Sequence, residues 1–457
     1  MVKRRALLGA GLIGAVALVA SLSIAAAGSA GTAGTASPTA VAVSVQNIKP
    51  PPVANAAAIK KKYGGRSITF LGDGPVGKSH TRDVNLVAKF SKDTGIKVKL
   101  VPHPVDSSAA YSQLARTFSA NSSAFDVVML DVVWTGAFAP YLYNLKRVLA
   151  KEAKQHSQGI ILNDTVGGKL VAMPWFGDFG ILYYRKDLLG KYGYSSPPKT
   201  WAQLGTMAQK IQDGEQASNP NFYGFVYQGN AYEGLTCDAL EWLASSGGGQ
   251  FIDGGKVTID NAKAAAILNL QRSFVGKITP RGVTTYQEGE AEKAFTSGNA
   301  AFMRNWPYAY AIGQTGPIKG KFDVTTLPRS GANAPVGTVG GWQLGVSSFS
   351  KQPGAAVELV RYLTSAAVER YDAIFNSNVP TIPAVAKLPA VRKVNPWLKP
   401  EIAGVKRVTR PSRYLGTKYN QGSQVIYQGI NQILNGQDAS SVLPRIAQQL
   451  NRILPKK

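Results

Sequence analysis

From Ile68 to Asp131 the chain alternates strand and helix patterns, and this rhythm restricts the fold more than any other feature. Ile68 to Leu71 reads as a strand and leads into a glycine-rich turn. Val84, Val87, Ala88 and Phe90 then recur at helical spacing until Gly95. Ile96 to Val101 alternates like a strand, Ala109 to Ala120 reads as a helix, and Phe125 to Leu130 is a buried strand ending at Asp131. Consecutive strands separated by helices need crossover connections, so the class is α/β with a largely parallel sheet. Ligand-binding loops in such sheets lie at the carboxyl ends of the strands, where Asp73, Asp131 and Trp134 stand. Beyond Asp178 the pattern turns more helical: 201–213, 233–245, 262–275, 354–365, 419–434 and 440–454. Strand patterns return at 324–327 and 344–346.

The chain has 457 residues, enough for two or three domains with real cores. Lys3, Arg4 and Arg5 precede an uncharged apolar run from Ala6 to Ala27, followed by small residues. This is a secretory signal pattern, and the run is also long enough for an uncleaved membrane anchor. Residues 1–30 are therefore expected to be a signal peptide or N-terminal anchor, and the mature chain to lie outside the cytoplasmic membrane, secreted or tethered. No cysteine sits near a cleavage point, which argues against a lipoprotein. Residues 31–63, rich in small residues and prolines, read as a flexible linker. The single cysteine, Cys237, excludes an intrachain disulfide and reads as a buried inert thiol. The net charge of +25 is dispersed rather than clustered among aromatics. This opposes nucleic-acid binding and leaves weak attraction to an anionic envelope.

Several motifs carry chemistry. Gly72 to Ser79 fits GxxxxGK[ST], the phosphate-cradling loop of NTPases, after a strand and before a helix. Export, the stiffening Pro75 and the lack of any further nucleotide signature oppose that reading. His80, His103 and His156 lack ligand spacing, so no metal or cofactor is expected. Asp131, Asp178, Glu233 and Glu241 could supply the carboxyl pair of a glycoside hydrolase. The segment Pro174 to Leu189, PWFGDFGILYYRKDLL, sets aromatic rings beside a lone acid. Flat rings cover the C–H face of a sugar, and a carboxylate accepts from its hydroxyls.

Seven blocks follow one another in a fixed order: FDVVMLDVVW, PWFGDFGILYYRKDLL, YGFVYQGNAYEGLTCDALEWL, AFTSGNAAFMRNWPYAYA, VGGWQLGVS, NVPTIPAV and TRPSRYLGTKY. Together they resemble the extracellular solute-binding proteins of ABC sugar importers, and more closely the trehalose/maltose-binding branch. The resemblance spans Arg66 to the C-terminus. It implies a two-lobed periplasmic-binding-protein-like fold with a ligand cleft between discontinuous lobes. Lobe 1 would comprise 64–176 plus 343–375, and lobe 2 would comprise 177–342 plus 376–457.

It also implies a monomeric receptor, not an enzyme, that captures a di- or oligosaccharide and delivers it to permease subunits of an ABC transporter. By motif, Asp131 would accept sugar hydroxyls with Trp134 nearby, and Asp178 would be the second carboxylate. Phe176 stands where relatives often have tyrosine. Trp306 would be the stacking platform with Tyr308 beside it, and Gly340, Gly341 and Trp342 would add backbone groups and a second ring. Arg410 would donate to hydroxyls or to a carboxylate partner, with Arg413 as the near alternative. Tyr232, Glu233 and Asp73 complete the set. A receptor for an acidic glycan is the competing reading that would use the positive charge.

Overall fold

The computed structural model describes residues 48–455. The signal or anchor segment and most of the expected linker lie outside the described residues. The last part of that linker is not a tether. An extended arm from Ile48 leads into helix α1 (Ala56–Tyr63), and Val53 and Ile59 are buried in the core. The arm is held along its length: Val53 N donates to Asp93 Oδ2 at 3.0 Å, and Tyr362 Oη donates to Pro51 O at 2.9 Å. Proline-rich composition predicts extension, and this arm is extended but docked.

Ten strands make two sheets that organise the molecule: β1 (Ser67–Gly72), β2 (Lys97–Pro102), β3 (Val127–Asp131), β4 (Met173–Phe179), β5 (Ile181–Arg185), β6 (Tyr223–Val226), β7 (Ala300–Asn305), β8 (Phe322–Thr325), β9 (Val336–Val346) and β10 (Lys406–Val408). The first sheet has the order β10-β9-β3-β1-β2, with β4 also paired to β9. β1 is parallel to β2 and β3, whereas β9 runs antiparallel to β3 and β4. The second has the order β8-β5-β7-β6, and only β7 and β6 are parallel. The architecture is mixed, and the parallel rhythm of residues 68–131 describes the first sheet's start only.

The helices that matter for the site are α2 (Ser79–Thr94), α3 (Ser107–Ser119), α4 (Glu233–Ala244), α5 (Pro353–Leu363), α6 (Ala366–Phe375), α7 (Tyr419–Leu434) and α8 (Ala439–Ile453). α2 ends where Gly95 adopts a left-handed φ of 70°, and Asp106 caps α3 by accepting from Ala109 N at 2.8 Å. Ile68, Phe70, Leu86, Phe90, Val127 and Met129 form the core of the first body. Ile181, Tyr183, Phe295, Met303 and Phe322 belong to that of the second.

One residue, Gly180, separates β4 of the first sheet from β5 of the second. A Cβ there would collide with the Glu241 carboxylate and the Arg304 guanidinium, so the crossing must be a glycine. The chain returns to the first sheet between β8 and β9, and all of β9's partners lie in that sheet. The start of β9 pairs with β10, its middle with β4 and its end with β3.

Candidate ligand cleft

The carboxyl ends of β1, β2 and β3 present Asp73, His103 and Asp131 to one cleft. The β4–β9 pairing sets Asp178 opposite Gly340 and Phe176 opposite Trp342. From the second body come Trp306 and Tyr308, just after β7, and Glu233 at the start of α4. The cleft has an empty volume of about 750 Å³ including its mouth, within the range of small-molecule sites.

All of the expected site residues line this cleft except Trp134 and Tyr232. Trp134 is fully buried and meets Trp342 edge-on, ring centroids 5.5 Å apart, so it backs the platform rather than forming it. Tyr232 is also buried, its hydroxyl folded over Gly234. Cys237 is buried as expected, yet it reaches the cleft floor.

Two ring systems shape the walls. Trp306 lies against Gly340, where a Cβ would come within 3.2 Å of its ring. The Arg304 guanidinium stacks on its ring at 3.9 Å, and its indole N–H donates to Glu288 Oε1 at 3.2 Å. Trp342 stacks on His103 at 5.2 Å with planes 23° apart. Burial pushes the His103 imidazole down from its ordinary range, opposed by its hydrogen bond to Pro104 O.

Three buried arginines hold most of the acids. Arg82 pairs with Asp73 at 3.3 Å, Asp83 at 2.8 Å and Asp372 at 3.3 Å, and stacks on Trp175 at 4.0 Å. Burial outweighs Arg82 and pushes the Asp73 carboxyl up to about 6. Arg410 forks onto Asp131 at 2.9 and 2.6 Å and reaches Glu233 at 2.7 Å. Of the two partners open to it in the sequence, it therefore takes the carboxylate. Glu233 also accepts from Tyr419 and Ser423, and burial raises its carboxyl. Arg304 binds Glu241 at 2.8 and 2.7 Å and Asp238 at 2.9 Å.

Asp178 differs from these. Its Oδ1 is out of solvent contact and has no hydrogen-bond partner among the described residues. Burial holds its carboxyl well above the usual range, opposed by the Arg304 charge. Tyr308 Oη and Arg410 Nε are likewise buried without hydrogen-bond partners among the described residues, and His103 Nε2 lies 3.6 Å from Asp73 Oδ1, beyond hydrogen-bond reach. Unpaired buried polar atoms cost free energy, and a cleft that gathers acceptors and donors in this way is built for a polar ligand.

This geometry bears on the competing chemistries. In the Gly72–Ser79 turn, Asp73 N donates to Asp83, Val76 N to Gly74 O and Ser79 N to Val76 O. Those N–H groups are spent on the turn, and Gly77 packs on Tyr308 and Ile312. Of the four candidate hydrolytic carboxyls, Asp131, Glu233 and Glu241 are bound by arginine, which leaves Asp178 without a free second member.

His103, Glu288, Asn378 and Ser107 line the cleft without having been expected there. The carboxyl-end argument that selected Asp73 and Asp131 also selects His103, which follows β2. Glu288 opens a helix with alternating charge and carries no sequence signal of its role.

Residues 78–370 match the bacterial extracellular solute-binding protein family. A probable ABC transporter-binding protein of Deinococcus radiodurans is 47% identical over 370 residues, covering 80% of this chain and 88% of the relative. The structure of maltose-bound MalE3 of T. maritima superposes with a TM-score of 0.81 at 38% identity, covering 85% of this chain and 100% of that one. The GacH receptor of Streptomyces glaucescens, solved unliganded and with acarbose, shares the fold at a TM-score of 0.74 and 24% identity, covering 85% of this chain and 98% of the receptor. With a matched family region, a relative of near-half identity and a two-sheet body crossed at Gly180, the chain belongs to the bacterial extracellular solute-binding proteins.

Proposed function

We propose that the protein captures a neutral disaccharide, of the trehalose or maltose type, and delivers it to the permease of an ABC transporter. The observation that carries this reading is the set of unpartnered polar atoms, Asp178 Oδ1 above all, gathered with the Trp306 and Trp342 rings around one cleft. Rings take the C–H faces of a pyranose, and the carboxylate takes its hydroxyls. The maltose bound by the T. maritima relative supports the same class of ligand. No covalent step is required. Asp73, Asp131, Asp178, Glu233 and Glu288 line the cleft, and its one arginine, Arg410, is already paired. That balance opposes an acidic glycan.

Lobe 1 would comprise 64–176 plus 343–375 and lobe 2 would comprise 177–342 plus 376–457, with the docked arm from Ile48 added to lobe 1. Val76 packs with the core of the second body, and Gln287 Nε2 donates to Asp106 Oδ2 at 2.7 Å. Contacts of this kind would favour the closed, ligand-holding state. The receptor would work as a monomer at the outer face of the membrane, tethered by an N-terminal span if that span is retained. Thermal unfolding tests the reading. A neutral disaccharide should raise Tm in proportion to its binding, without hydrolysis. A shift with acidic sugars or Mg-ATP alone would contradict it.

A further inference from the structure

We propose that the end of the first body opposite the cleft is a docking surface for anionic lipid. β1, β2 and β3 run parallel and place their carboxyl ends at the cleft, so their amino ends mark the far side. Lys60, Lys61 and Lys62 in the last turn of α1, Lys92 near the end of α2, Lys97 opening β2 and Lys351 before α5 are all exposed there. Backbone and side-chain contacts bring these segments together. Gly65 N donates to Gly95 O at 2.9 Å, Lys97 N to Arg66 O at 2.8 Å, and Arg66 Nη1 to Gln352 Oε1 at 2.6 Å.

The acids nearby are already engaged. Asp93 accepts from Lys89 and Val53 N, the buried Asp126 accepts from Thr69 N and Ser350, and Glu358, which faces Lys62, accepts from Arg361 Nε. The macrodipole at the end of α1 rationalises a lysine or two in its last turn, but not Lys97 or Lys351.

Lipid is the occupant the sequence favours. The chain ahead of the described residues carries three bases and then an uncharged apolar run, Ala6 to Ala27. Such a run meets the ~20 residues needed to span a bilayer. A hydrophobic span combined with a basic surface is a two-signal attachment, and the surface attraction fades beyond a Debye length. Docking by this end leaves the cleft open to solvent, so sugar capture continues while the body rests on the membrane.

The described residues all belong to one compact unit, and a solved relative is complete within 85% of this chain, so the test uses residues 44–457. The probes are vesicles of phosphatidylcholine alone or mixed with phosphatidylglycerol, at low and high salt, followed by flotation. Binding is expected to the mixed vesicles only and to vanish at high salt. Lys60→Glu/Lys61→Glu/Lys62→Glu should lower that binding about ten-fold or more. The control, Lys256→Glu/Lys263→Glu/Lys277→Glu, makes the same charge change at exposed sites of the second body and should retain it. Both variants should keep the wild-type sugar-dependent Tm shift, which separates this proposal from the sugar reading. No binding to the mixed vesicles would overturn it, and so would an equal loss in both variants. Binding to soluble polyphosphate without vesicle binding would also overturn it, pointing instead to an anionic wall polymer.

Discussion

Gly340 shows how the cleft depends on single atoms. Its missing Cβ leaves room for Trp306 on one side and the Asp178 Cβ, 3.1 Å from where its own would be, on the other. Trp306→Ala removes the ring and should weaken sugar binding by at least about 1 kcal/mol in a calorimetric titration, as for a buried aromatic anchor. Unchanged affinity in a folded variant would remove this ring from the ligand site. Asp178→Asn separates binding from stability. Burial raises the folded carboxyl above its ordinary 3.8, so the native state binds the proton more tightly than the unfolded chain. The group therefore favours folding when protonated, and stability is lost as pH rises from about 4 through the raised value. The variant should melt higher than wild type at neutral pH, match it near pH 4, and bind sugar less tightly. A lower melting temperature at neutral pH would instead make Asp178 a structural acid.

At the scale of elements, the site rests on the β4–β9 ribbon and the crossing at Gly180. Gly341 has φ 118°, and a Cβ there would lie 2.7 Å from Phe176 O. Gly341→Ala should cost about 1–3 kcal/mol in urea unfolding, through backbone strain and displacement of β4. A neutral substitution would mean the ribbon yields freely. Much at this scale was legible in the sequence. The apolar runs gave β1 to β3, and Tyr419 to Leu434 and Ala439 to Ile453 match the two terminal helices expected. The antiparallel return of β9 was not legible, because its partners β3 and β4 lie about 200 and 160 residues earlier, and local periodicity carries no pairing information. Glu288 escaped for a similar reason. Its role comes from the Trp306 indole that tertiary folding brings to it. Trp134, expected near Asp131, stands behind the Trp342 ring, a placement that a tryptophan following a strand does not reveal in sequence.

At the scale of the whole molecule, charge is divided unequally. The chain carries +25, yet the ionisable residues lining the cleft are mostly acids, and its arginine is already paired. Neutral-sugar affinity should therefore change little with salt, because screening acts on exposed charges and not on hydroxyl contacts within the cleft. Strong salt dependence would show that the positive surface takes part in capture. On the proposed reading, one neutral disaccharide is held, unreacted, between the two bodies. Calorimetric titration with trehalose and maltose, followed by analysis of the recovered sugar, tests it most directly. Saturable binding of one sugar per chain with the disaccharide recovered intact is the predicted result. Absence of binding by any neutral saccharide, or recovery of monosaccharide product, would contradict it.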